Sequence, residues 1–136
     1  METNFSGTWL ADLSQSRLLG PIPNALTAKI EQSDQSLREE IVVVTANGEH
    51  RSVLECHIGG HQENAVLDGR PVRGGARREG NELVIELWIA AGDRELHLCD
   101  YWSLSADGQV LTMEHREDAL AGQRTILRRS NSAQPR

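Results

Sequence analysis

The chain has 136 residues, 38% hydrophobic and 4% aromatic, with a net charge of −6 and a pI near 5.3. That length holds one domain with a core and not two of ordinary size. The acidic balance excludes a general nucleic-acid or anionic-membrane surface, and no apolar run approaches the length of a membrane span.

Met1-Glu2-Thr3-Asn4 has neither the basic start nor the apolar core of a signal peptide. The compartment stays open: cytoplasmic if Met1 is the native start, extracytoplasmic if a leader has been removed. Residues 4–10, NFSGTWL, read as a first strand. Residues 11–24 show no alternation, and Gly20-Pro21-Ile22-Pro23 is a rigid breaker. Asp12 or Ser14 is placed to cap a helical turn. This stretch is either a plain connector or a lid over one end of a barrel.

From Leu26 onward the chain is strand and turn. Residues 26–32 and 36–46 flank Ser33-Asp34, which pairs Leu26 with Ile41, Ala28 with Glu39 and Ile30 with Leu37. Asn47-Gly48 is a strong hairpin signal and pairs Ile41 with Leu54 and Glu39 with Cys56. The inner face is then Leu26, Ala28, Ile30, Leu37, Ile41, Val43, Leu54, Cys56 and Ile58, with Glu39 as its polar intruder. Val42, Val44 and Val53 form an apolar row outside. Residues 59–75 hold turns at Gly59-Gly60 and Asp68-Gly69, short strands at 65–67 and 71–73, and a bulge or bend at Gly74-Gly75.

Residues 83–116 are the most regular part. Asp107-Gly108 sets Leu104 opposite Leu111, Trp102 opposite Met113 and Asp100 opposite His115. A turn at Ala91-Gly92 sets Leu87 opposite Leu96, Ile85 opposite Leu98 and Leu83 opposite Asp100. Gly80-Asn81 sets Arg78 opposite Leu83. Side chains alternate with period two, so all of these share one face. A polar row of Arg78, Asp100 and His115 therefore crosses an otherwise apolar wall. A last strand covers 123–129, and a polar tail covers 130–136. About ten strands, turns every eight to twelve residues and sequential hairpins describe an all-β, up-and-down antiparallel β-barrel, with residues 1–129 as a single domain.

Gly7-Thr8-Trp9 on the first strand resembles the G-x-W signature of lipocalins and related calycins, and Arg128 or Arg129 matches the lipocalin arginine that packs over that tryptophan. More closely, the chain is similar to small bacterial lipocalin-like proteins. The motifs are Ser6 to Trp9, Gly20 to Pro23, Leu26 to Gln32, Asp68 to Val72 and Trp102 to Leu111. In Asp68-Gly69-Arg70-Pro71 the proline falls one position early. The resemblance covers nearly the whole chain. It implies a calycin barrel and, by analogy, a small apolar molecule inside it; it carries fold further than activity.

The leading functional expectation is non-catalytic binding of a small hydrophobic molecule. Apolar walls supply affinity and the polar row supplies orientation. The binding residues are Leu83, Ile85, Leu87, Leu96, Leu98, Trp102 and Met113, with Arg78, Asp100, His115 and Glu39 as polar contacts. Arg78 suits a carboxylate head group through its planar fork. The bland alternative is that Arg78 and Asp100 neutralise each other beside a satisfied His115. A second hypothesis is an enzyme on a lipid-like substrate, with Asp100 orienting His115 as general base. A third is a solid-packed interaction module.

His57, His61 and Glu63 have metal-like spacing, yet Gly59-Gly60 interrupts it, so no metal is expected. No cofactor is expected either. Cys56 faces inward beside Glu39 and Cys99 faces outward, so both read as free thiols of low reactivity. Trp88 falls outside between Val84 and Tyr101, which marks a possible homodimer contact unless a helix or the connector covers it.

Overall fold

A computed structural model of the protein describes residues 3–18, 20–59, 63–117 and 122–130. The alternating runs form ten strands: β1 (Gly7–Ala11), β2 (Ala25–Gln32), β3 (Ser36–Thr45), β4 (Gly48–His57), β5 (Glu63–Leu67), β6 (Arg70–Glu79), β7 (Glu82–Ala91), β8 (Arg94–Leu104), β9 (Val110–Glu117) and β10 (Gln123–Arg129). Every neighbour pair is antiparallel and sequential, and β1 pairs with β10 to close the barrel. Closure leaves no sheet edge, which is how a meander of this kind avoids pairing with other chains. The fold is a closed up-and-down antiparallel barrel, as the alternation predicts, and of the lipocalin-like kind that the resemblance implies. No helix forms among the described residues.

The wall parity is the predicted one, but three registers differ. Leu104, Trp102 and Asp100 do meet Leu111, Met113 and His115, and Arg78 meets Leu83. Across β7 and β8, however, Leu83 meets Trp102, Ile85 meets Asp100 and Leu87 meets Leu98. The turn is Gly92-Asp93, not Ala91-Gly92. Gly92 sits at φ 69° while Asp93 does not take a positive φ. A glycine in the first central position is what a type II′ hairpin requires.

The β2–β3 and β3–β4 pairs move by two residues in the same way. Ala28 meets Ile41 and Ile30 meets Glu39; Glu39 meets Leu54 and Leu37 meets Cys56. At the second of these, Thr45 pairs with Gly48 and the loop is Ala46-Asn47, with Gly48 itself at φ 117°. A shift of two preserves which face a residue lies on and changes only its height. Gly74 lies within continuous β6 and takes φ 140°. Its register against β7 runs unbroken from Arg73 to Glu79, so there is no bulge here.

The connector makes one turn and no helix. Gln15 N–H donates to the Asp12 carbonyl at 3.1 Å, and Ser14 Oγ donates to Asp12 Oδ1 at 2.7 Å. Arg17 then bridges to Arg124 on β10. Residues 12–17 thus run on along β10 and lengthen the wall beyond β1.

The barrel floor is packed around Phe5, Trp9 and Trp102, each 1% exposed or less. Trp9 Nε1 donates to the Phe5 carbonyl at 3.0 Å, and Phe5 meets Trp102 edge-on with centroids 5.8 Å apart. Of the two arginines that matched the lipocalin pattern, Arg129 has the role. Its guanidinium lies 4.3 Å over the Trp9 ring and donates to the Ser6 and Gly108 carbonyls at 3.0 and 3.1 Å. Arg128 points outward and pairs with Asp12 at 3.0 Å. One cation–π contact and two charge-assisted bonds tie both chain ends to the floor. Arg129→Ala is expected to cost about 2 kcal/mol in a urea melt, whereas Arg128→Ala, an exposed ion pair, is expected to change it by less than about 1 kcal/mol.

Candidate functional site

The lumen changes character along its axis. At the floor Trp9, Leu83, Trp102, Leu111 and Leu127 are fully buried. Toward the other end Leu26, Ile41, Leu67, Val72, Ile89 and Leu98 face inward but keep partial exposure. The inner wall is therefore apolar and partly open to solvent toward that end, and closely packed around the floor residues.

Polar groups stand where the two halves meet. Asp100 on β8 and His115 on β9 are directly opposed, and Asp100 Oδ1 is in close contact with His115 Nδ1. That hydrogen bond raises the His115 pKa, against the opposing effect of burial and with a smaller push from Glu117. Both side chains stay accessible, 34% for His115 and 25% for Asp100. With Nδ1 engaged, Nε2 is the remaining polar atom of the ring.

Glu39 on β3 is the second component. It is 6% exposed, and its Oε2 has no hydrogen-bond partner among the described residues. Burial, and then the charge of Asp100, push its pKa up to about 8. Strands β3 and β8 are not neighbours in the sheet, so this coupling runs across the lumen. Cys56 lies on the same inner face; burial and then Glu39 push its thiol up to about 12, which leaves it inert. Trp102 Nε1 is a second buried polar atom with no partner among the described residues.

The residues expected from sequence divide accordingly. Asp100, His115 and Glu39 do come together. Leu87 and Leu98 form a cross-strand pair above them, Ile85 lies level with Asp100, and Met113 pairs with Trp102 one pleat below. Leu83 and Trp102 belong to the floor. Leu96 pairs with Ile89 higher up.

Arg78 is not part of the row. The two-residue shift at Gly92-Asp93 puts Ala76 and Ile85, not Arg78 and Leu83, level with Asp100 and His115. Arg78 stands one pleat lower, about 7 Å along the strand. Its Nη1 donates to the Asp34 carbonyl at 3.3 Å, beside a cavity of about 240 Å³ at the floor. Arg78 is therefore not paired with Asp100, whose side-chain partner among the described residues is His115. Sequence reasoning missed Leu67, Val72, Ile89 and Glu117 as lumen positions; plain alternation along their strands would have found them.

Outside the barrel, Trp88 is covered by its own sheet, not by a helix or the connector. Arg73 lies 4.4 Å over its ring, and His97 stacks on it at 4.9 Å. His97 Nε2 in turn meets Glu86 at 2.8 Å. Cys99 faces outward as expected but is buried, and burial pushes its thiol up. Both cysteines are free. A groove of about 540 Å³ runs over the outer face where β4 and β5 diverge, past Arg38, Glu55 and His57. No group of three metal-capable side chains occurs among the described residues. His61 lies outside the described residues, as does the Glu63 side chain.

No known protein family's sequence profile matches the chain, and no curated protein matches it in sequence. Among solved structures it is similar to a secretary abundant heat soluble (SAHS) protein from Ramazzottius varieornatus. The TM-score is 0.69 at 10% identity, over 96% of this chain and 98% of that one. At that identity the likeness concerns the fold alone.

Proposed function

We propose that the barrel binds a small amphipathic molecule that enters from the accessible end. Its apolar part lies against Leu26, Ile41, Leu67, Val72, Ile89 and Leu98. Its polar end meets Asp100, His115 and Glu39. The observation that carries this reading is the buried Glu39 Oε2, which has no hydrogen-bond partner among the described residues, across from an accessible Asp100–His115 pair and below a partly exposed apolar wall. A purely structural core has no use for a buried acid without a partner, since such a group costs several kcal/mol, roughly what removing one member of a buried pair costs. Pockets that bind small molecules have this composition, apolar walls with a few converging polar groups. The Asp100–His115 contact is also the orienting arrangement used in acid–base catalysis, and the catalytic reading rests on that contact alone.

The test is uptake of a neutral environment-sensitive dye such as Nile red. The folded protein is expected to bind it with a dissociation constant of roughly 1–10 μM, and Leu98→Arg to weaken this at least about tenfold with an unchanged far-ultraviolet circular dichroism spectrum. A folded protein that takes up no dye would remove the chamber and the function with it.

A further inference from the structure

The chemistry of the lumen selects among polar ends. Among the described residues, the inward positions between floor and mouth carry three acids, Glu39, Asp100 and Glu117, against one basic group, His115. The arginines at inward register positions stand at the ends. Arg78 and Arg129 are at the floor, bonded to the Asp34, Ser6 and Gly108 carbonyls. Arg70 and Arg94 are at the mouth and exposed, as is His50. Asp100 offers a second oxygen beyond the one in contact with His115. Glu39, 94% buried by its 6% exposure, offers an oxygen with no partner among the described residues.

We propose that this site takes the protonated amine of an amphipathic amine, in preference to a carboxylate. The inference rests on the lumen-binding reading above and names the ligand class for it. An ammonium group brings three donors and a positive charge, which answer the open oxygens of Glu39 and Asp100. A carboxylate brings no donors, and it adds a further anion beside Asp100 and Glu117 in a partly desolvated space where like charges repel most strongly.

The same groups set the pH dependence. In the empty chamber Glu39 is held protonated to about pH 8 by burial and by Asp100 across the lumen. An arriving cation favours its ionised form, so amine binding releases a proton. His115, whose pKa is raised by Asp100, competes with the amine for that carboxylate while it is charged. Cys56 on β4 stays a neutral thiol, and Glu117 on β9 adds to the negative side. Amine affinity therefore rises from about pH 6 to about pH 8, below the ordinary range of an alkylammonium, while carboxylate affinity does not.

The experiment is displacement of bound Nile red by dodecylamine, dodecanol and dodecanoate, each below its micelle concentration. Dodecylamine is expected to displace the dye at a concentration about tenfold or more below dodecanoate at about pH 8, and the gap to narrow toward about pH 6. Glu39→Gln and Asp100→Asn are each expected to weaken dodecylamine about fivefold or more and to leave dodecanol within about twofold. Equal or tighter displacement by dodecanoate would overturn the assignment and place an anionic head group at the Arg70 and Arg94 rim. So would an equal loss of dodecanol in both variants. Absence of dye uptake in the first place defeats the lumen reading itself, which keeps the two failures apart.

Discussion

The protein is expected to lose stability as the pH rises from about 5 to about 8, and Glu39→Gln to remove most of that loss. The folded chain holds the Glu39 proton up to about pH 8, against 4.5 for the free group. Between those values the unfolded chain has released the proton and the folded chain has not. The folded state then binds more protons, so unfolding becomes easier as pH rises, and the effect levels off above about pH 8. A change of one in pKa corresponds to about 1.4 kcal/mol, so the full penalty is on the order of 5 kcal/mol.

His115 acts in the same direction. Its raised pKa contributes stability that is present below the ordinary histidine value and lost as pH rises through the folded one. A shallow slope should therefore remain in Glu39→Gln. Urea midpoints at several pH values measure this directly. A variant with the same slope as the natural chain would mean that Glu39 is not held as a buried neutral acid.

Gly74→Ala is expected to be the most damaging single-methyl change in the barrel. Gly74 sits at φ 140° on the inner face of β6, opposite Leu87. A Cβ built there overlaps the Glu86 carbonyl oxygen and comes within 2.9 Å of Leu87 Cα. Both obstacles are backbone, and neither can move without parting β6 from β7. The expected loss is about 3 kcal/mol or more, enough to give a marginally stable or insoluble product. Gly92→Ala is the control. Its Cβ meets nothing within 4 Å, so only the positive φ of 69° counts against it, about 1 kcal/mol. Thermal melts of the two variants should separate widely. Similar melting temperatures would show that β6 and β7 are not locked at this point.

Glu39, Asp100 and His115 were each visible in the sequence as polar interruptions of an apolar alternation. Their meeting was visible only in part. Asp100 and His115 face each other across one hairpin, whose Asp107-Gly108 turn sets the pairing from nearby residues alone. Glu39 comes within electrostatic reach of Asp100 only because ten strands close on themselves. Arg78 shows the limit from the other side. Its face was legible and its height was not, because Ala91-Gly92 and Gly92-Asp93 compete for one hairpin and differ by two residues.

By itself, the sequence determined the strand count, the inward and outward faces and the meander, since period-two alternation and turn residues act over a few positions. It also marked Trp9 and a terminal arginine as the floor. The tertiary structure alone decided which turn type each glycine serves, which side chains share a level, and which polar groups meet across the lumen. Two-residue shifts cost nothing in the burial pattern, so alternation cannot tell them apart; side-chain packing inside a closed barrel can.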